Sequence, residues 1–250
     1  MAIASTDLVY YGAANHAEAD GTTQGGAIDL TTKVIFTDIS ATGAVEVLSS
    51  SASDVTQTVT ITGRNAAGSI VSEVETLAGV AVQLTTATFE RILKIVMSAT
   101  AVGTITIRKA SDDVTIATLE PGFTSVRRLF YDSRADASGG SSRDFYEKFF
   151  IKNTHGSLSL LTATIQLNAD PSTFITFDLE DAVNDNNSTA NRLNTAPTGM
   201  LGTFTTADKA VPGTNLAAAA SIGVWARLRV AAGTAPSKNT FTIRATGGTV

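Results

Sequence analysis

Catalysis near neutral pH calls first for an imidazole or a thiol, and this chain of 250 residues has two histidines and no cysteine. His155 lies in Asn153-Thr154-His155-Gly156-Ser157, which reads as a turn after a strand. Ser157 is close in sequence, but neither an orienting carboxylate nor a strained nucleophile turn accompanies the pair. His16 stands in a small-residue stretch near the start and reads as solvated. The densest oxygen-bearing group is Asp178, Glu180, Asp181 and Asp185, with Asn184, Asn186 and Asn187 among them. A hard cation such as calcium takes several oxygens from one tight loop. The spacing is not that of an EF-hand and its glycine is missing, so a solvated acidic loop is preferred to a metal site. Gly199-Met200-Leu201-Gly202 lacks the Lys-Ser/Thr and the strand–helix setting of a phosphate loop. The chain is therefore expected to be non-enzymatic and to carry no cofactor.

Arg127-Arg128, with Phe130 and Tyr131 just after, is a basic–aromatic knot. Its expected role is an interdomain or intersubunit ion pair rather than nucleic-acid binding. A net charge of −5 and a pI near 5.0 oppose a nucleic-acid surface, which needs clustered Lys and Arg. Asn187-Ser188-Thr189 matches a glycosylation sequon. The opening Met1-Ala2-Ile3-Ala4 has no basic stretch ahead of an apolar core, so no secretory signal is expected and the match reads as chance. No segment approaches the ~18 consecutive apolar residues of a membrane span.

The elements that must carry these residues read as strands. Charged residues make up 16% of the chain, against about 25% in ordinary globular domains. Thr, Ser, Ala, Val and Gly fill their place, and β-branched side chains fit a pleated surface. Thr58-Val59-Thr60-Ile61-Thr62 alternates with period two, and Asn65-Ala66-Ala67-Gly68 turns the chain back through residues 70–77. On that return Ile70 and Val74 share one face, and Glu73 and Glu75 the other. Residues 89–97 fit a helical stripe through Phe89, Ile92, Leu93 and Val96 as well as a strand through Leu93, Ile95 and Met97. Their β-branched content and short length favour the strand. Ile105 and Ile107 alternate again, Asp112-Asp113 turns a hairpin, and Pro121-Gly122 stops the set.

Residues 1–30 read as a first strand or as an arm clamped by a neighbouring chain, with Leu8-Val9-Tyr10-Tyr11 as its apolar knot. Residues 31–131 form an N-terminal β domain. Residues 132–143, with Ser138-Gly139-Gly140-Ser141-Ser142, form a linker, and residues 144–250 a second β domain. Within the second domain Trp225 is a core residue of a late strand, and the polar excursion of residues 184–194 is long enough to serve in contact. The fold class is all-β, with two sandwich or barrel domains.

The hairpin Thr56-Gln57-Thr58-Val59-Thr60-Ile61-Thr62-Gly63-Arg64-Asn65-Ala66-Ala67-Gly68, its return to Glu75-Thr76-Leu77, and Thr85-Thr86-Ala87-Thr88-Phe89 resemble a β module of tailed-bacteriophage structural proteins. The run Gly223-Val224-Trp225-Ala226-Arg227-Leu228-Arg229-Val230, with Asn239-Thr240-Phe241-Thr242-Ile243, is similar to the last strands of immunoglobulin-like domains of that class. The likeness lies in composition and cadence across much of the chain. It implies a virion structural protein assembled in a host cytoplasm: a capsid decoration or cement protein first, then a tail, neck or fibre component. The C-terminal domain would be immunoglobulin-like or jelly-roll-like. The implied partners are the major capsid protein and copies of the chain itself, with a homotrimer expected and no nucleic acid or membrane. Leu8, Val9, Tyr10, Tyr11, Arg127 and Arg128 are the candidate contact residues. The alternative of another class is a carbohydrate-binding β-sandwich, with a host-surface glycan bound by the 178–194 loop and aromatics such as Tyr146 or Trp225.

Overall fold

A computed structural model describes residues 2–16, 19–130, 133–235, 237 and 239–249. Among the described residues the helical content is one 3-10 turn at Ser5–Asp7, and strands make the rest of the regular structure. In chain order these are β1 (Leu8–His16), β2 (Gln24–Lys33), β3 (Val45–Ser49), β4 (Thr58–Arg64), β5 (Ile70–Thr76) and β6 (Gln83–Leu84). Then come β7 (Arg91–Met97), β8 (Ile105–Lys109), β9 (Thr115–Leu119), β10 (Ser125–Arg127) and β11 (Arg143–Asn153). The last are β12 (Leu161–Ala169), β13 (Ile175–Val183), β14 (Ser188–Thr189), β15 (Lys209–Ala210), β16 (Ser221–Val230) and β17 (Thr242–Gly248). Residues 30–129 form one compact unit, inserted in sequence between the two parts of the other, residues 1–29 and 130–250.

In the inserted unit the end of β2 and β10, β7, β4 and β5 lie in that order in one sheet, and β6, β3, β8 and β9 in a second. Alternation decides what each strand buries: Val59 and Ile61 of β4 point inward while Thr58, Thr60 and Thr62 do not. Val45 and Val47 of β3 and Ile105 and Ile107 of β8 join them in one apolar core, which is the packing of a two-layer sandwich. Each such side chain contributes about 1.5–3 kcal/mol by leaving water.

The ambiguity of residues 89–97 has a structural cause. They form β7, but its pairing with β4 slips between Thr62↔Lys94 and Gly63↔Ile92, leaving Leu93 as the extra residue of a bulge. Met97 and Ile95 keep period two, whereas Ile92 and Leu93 are both buried, so the pattern imitates a helical stripe. Gly63 sits at the slip because a Cβ there would lie 2.6 Å from the Phe89 ring and would also strike the Arg91 carbonyl.

The return strand β5 turns its apolar pair outward, with Ile70 54% and Val74 58% exposed. Register explains this. Ile61↔Glu73 puts Glu73 on the core side of this edge strand, where its carboxylate accepts the Thr86 and Ala87 N–H groups at 2.8 and 2.6 Å. A second acid, Asp54, is buried outright. It accepts the Ser49 hydroxyl at 2.6 Å and the Val102 and Gly103 N–H groups at 2.8 and 2.9 Å, pinning its own loop to the end of β3 and to the loop between β7 and β8.

The split unit has the sheet order β13, β16, β11, β1 and the start of β2, with β14 added on β2, and a second sheet β15, β12, β17. The segment left open between strand and arm packs in cis: β1 runs antiparallel to β11 from Leu8↔Asn153 to Gly12↔Phe149. It therefore belongs with residues 130–250. The expected linker begins at Asp132, outside the described residues. Its Ser133 accepts a hydrogen bond from buried Arg192 at 2.8 Å, which holds this stretch to the split unit.

Two outcomes follow from these pairings. Deleting residues 1–29 is expected to abolish slow amide hydrogen exchange along residues 149–153, read by exchange mass spectrometry. Unchanged protection would mean that β1 is not a strand in solution. Burial pushes the Asp54 carboxyl up, but its three hydrogen bonds outweigh that and hold it below the ordinary aspartate value. Its stabilising effect is thus full above the free value of about 3.9 and is lost as pH falls through the lower folded value. Asp54→Asn should flatten that acid-side loss in a series of thermal melts.

Candidate functional site

The split unit is built around a strand that is covered on both faces. In β11, residues 145–151 (Phe-Tyr-Glu-Lys-Phe-Phe-Ile) are all buried, between β16 and β1. Two charges fall inside this aromatic run, and period two sends them to opposite faces. Each face must supply a counter-charge, because an uncompensated buried ion is far more costly than a paired one.

On one face Glu147 accepts two nitrogens of Arg192, Nε at 2.9 Å and Nη2 at 2.8 Å. The Arg192 guanidinium lies 4.9 Å from the Phe145 ring centre and is fully buried. On the other face Lys148 reaches Glu180 of β13, with Nζ 2.7 Å from Oε1 and both side chains at 0% exposure. These two residues come from strands on either side of β16, roughly 10 Å apart at the backbone. They meet because the strand between them carries Gly223, where a Cβ would lie 2.6 Å from Glu180 Cγ and 2.8 Å from Lys148 Cε.

The rest of the enclosure is specific. Trp225, fully buried in β16, donates its indole N–H to Glu180 Oε1 at 2.6 Å. Asn187, in the segment leading to β14, donates its amide N–H to Glu180 Oε2 at 3.0 Å. The Asn187 main-chain carbonyl accepts from Lys148 Nζ at 3.0 Å and from the Gly26 N–H at 2.8 Å. The Lys148 ammonium also lies 4.8 Å from the Phe150 ring centre and 5.7 Å from that of Trp225. Burial pushes the Lys148 amine below the ordinary lysine value, and the negative charges of Glu180 and Asp185 oppose that shift. A lysine with depressed basicity and a shared carboxylate, both fully buried, are thus brought together with the carboxamide of half-buried Asn187.

This arrangement corrects the reading of a solvated acidic loop. Asp178 and Glu180 are interior residues of β13 at 0% exposure, since its pairing with β16 places them on the face that Lys148 occupies. Asp178 is paired with Lys209 at 3.0 Å and accepts the Gly202 N–H at 3.0 Å. Asp181 is exposed, and Asp185 accepts the Asn187 N–H two residues on. Among the described residues no three His, Cys, Asp or Glu side chains are grouped as a metal site would need.

The other sequence candidates fall elsewhere. Leu8, Val9 and Tyr10 are half-buried and Tyr11 is buried, all within β1. Arg128 makes its ion pair inside the inserted unit, with Asp38 at 2.6 Å, rather than across domains or subunits, and donates to the Ile92 carbonyl at 3.0 Å. Arg127 ends β10 opposite Lys94. Tyr131 lies outside the described residues. His155 caps its own turn, its Nδ1 accepting the Ser157 and Leu158 N–H groups at 3.1 and 3.0 Å. His16, half-buried at the end of β1, accepts the Ala13 N–H through Nε2 at 2.9 Å. Tyr146 packs edge-on against Phe204 with ring centres 5.3 Å apart.

Sequence reasoning passed over Lys148, Glu147 and Arg192. The signal was present in Phe145-Tyr146-Glu147-Lys148-Phe149-Phe150-Ile151, where two adjacent charges interrupt a run too apolar to lie at a surface. The chain matches no family model, and neither the curated proteins nor the solved structures compared with it are similar to it.

Lys148→Met is expected to cost about 3–5 kcal/mol, the range for leaving one member of a buried pair uncompensated. The double change Lys148→Met with Glu180→Leu should recover much of that in denaturant melts. A double variant no more stable than Lys148→Met alone would remove the pair from the split unit's energetics.

Proposed function

We propose that this chain is a non-enzymatic structural component of a bacteriophage particle, acting as a decoration or cement protein that binds the outer capsid lattice. The observation that carries this reading is the uncovered sheet face of the inserted unit. Cross-strand pairing puts Val74, Thr60 and Val96 in one row, and Val74 and Val96 are 58% and 39% exposed. Thr62 and Ser72 pair in the next row, joined by a 3.1 Å hydrogen bond between their hydroxyls. Ile70, at 54% exposure, lies further along the same face.

The same face carries the half-exposed cations Lys94, opposite Thr62, and Arg64, which stands between Ile70 and Arg91. A rigid sheet face of valine, isoleucine, threonine and a few cations has little to offer a small substrate. It suits a flat protein surface, where contiguous apolar area marks contact. A lattice multiplies a weak contact of this kind by repetition, so no reactive group is called for. The interior of the split unit, with ion pairs on both faces of β11, fits a part that bears load rather than one that opens. The resemblance of residues 56–89 and 223–243 to phage structural modules is what favours the virion among repeating lattices; the capsid is our choice among virion locations, with tail, neck and fibre as the alternatives.

The test is localisation in purified particles. An antibody against this protein should label phage heads in electron micrographs. Ile70→Asp with Val74→Asp should lower the copies bound per head at least tenfold without shifting the melting temperature of the free protein. Label confined to tails or fibres would move the role there, and particles without label would overturn the reading.

A further inference from the structure

The enclosure around Lys148 holds more than an ion pair. Its carboxylate is shared by an amine and a carboxamide: Glu180 Oε1 is 2.7 Å from Lys148 Nζ and Oε2 is 3.0 Å from Asn187 Nδ2. The same Nζ donates to the main-chain oxygen of Asn187 at 3.0 Å, so the lysine holds the backbone of that residue while the carboxylate it is paired with holds the side-chain amide. Lys148, Glu180 and Trp225 are at 0% exposure, with the Trp225 indole fixing Glu180 Oε1 at 2.6 Å. An amine and an acyl carbon held side by side react as if at very high concentration. A carboxyl group touching both can carry the protons.

We propose that Lys148 and Asn187 become joined in the folded chain by an isopeptide bond between Nζ and Cγ, formed with loss of ammonia and with Glu180 as proton carrier.

The steps balance without an outside reagent. Lys148 first gives a proton to Glu180, whose Oε1 lies 2.7 Å from Nζ. The amine lone pair then attacks Asn187 Cγ while the Glu180 acid protonates the developing oxyanion. The new Nζ–Cγ bond forms and its surplus proton returns to the carboxylate. Collapse of the tetrahedral centre breaks the Cγ–Nδ2 bond, and Nδ2 leaves as ammonia with the proton that Glu180 supplies; the hydroxyl proton on the former carbonyl oxygen then passes through Glu180 to that ammonia, giving the amide and an ammonium ion. An ammonium and a carboxamide become a secondary amide and an ammonium ion, with nothing oxidised or reduced. Glu180 ends as it began. The bond would tie β11 to the segment carrying β14 and close a loop of chain through the middle of the split unit, limiting the unfolded ensemble as a cross-link does.

Gly223 serves the same end, because a side chain there would push Lys148 and Glu180 apart. The proposal does not depend on the capsid reading, and its test is blind to where the protein binds.

The test is the mass of the intact, denatured full-length chain. It should be lighter than its sequence requires by one ammonia, and a proteolytic digest should yield a branched peptide containing Lys148 and Asn187. Lys148→Arg, Asn187→Ala and Glu180→Gln should each restore the sequence mass. A wild-type chain at full sequence mass overturns the proposal whether or not the variants fold. So does ammonia loss with Lys148 and Asn187 in separate peptides, the mark of a succinimide at an asparagine. Loss of water in place of ammonia would join Lys148 to Glu180 instead and overturn it equally.

Discussion

The split unit depends on one constraint: a central strand, buried on both faces, carries two adjacent charges. Glu147 and Lys148 cannot reach solvent from the middle of β11, and the pleat sends them opposite ways. Arg192 must therefore be drawn to one face and Glu180 to the other. Much else follows. The chain after β13 folds back so that Asn187 and Arg192 arrive over β11, and β16 carries a glycine where Lys148 and Glu180 have to meet. Buried pairs of this kind add little net stability compared with apolar packing, but a shifted register would strand both charges at once. They fix the arrangement more than they strengthen it.

The inserted unit solves the same problem with hardly any charge. Its core is aliphatic, from Val45 and Val47 on one sheet to Val59, Ile61 and Ile95 on the other. One carboxylate, Asp54, is buried there and is satisfied by a hydroxyl and two backbone N–H groups rather than by a cation. The outer face of its larger sheet mixes threonine, valine and isoleucine with the half-exposed cations Lys94, Arg64 and Arg91. The two units thus differ in kind, one with a charged and tightly paired interior and the other with an aliphatic core.

How far the sequence could be read differs between the two units for a physical reason. In the inserted unit β4 has one covered face, so Thr58-Val59-Thr60-Ile61-Thr62 shows its period openly. Where the bulge at Leu93 inserts a residue, the period breaks and the segment looks half helical. In the split unit, β11, β13 and β16 are covered on both faces and lose alternation. The acidic residues of β13 then resemble a loop, because nothing local tells a buried carboxylate from a solvated one. Trp225 was legible as a core residue. That its indole would serve Glu180, a residue of a different strand, was not.

By itself the sequence determined that the chain is built from strands, that it has two β regions, and that no cysteine or phosphate loop offers chemistry. Those properties are written in periods of two and in residue types, both of which are local. Only the tertiary structure decided that residues 8–12 pair with β11, that the apolar side of β5 faces outward, and that Lys148, Glu180 and Asn187 share one enclosure. Each of these rests on strand order and register between segments far apart in the chain. A one-residue change of register reverses every side chain on a strand, and no local pattern encodes it where both faces are buried.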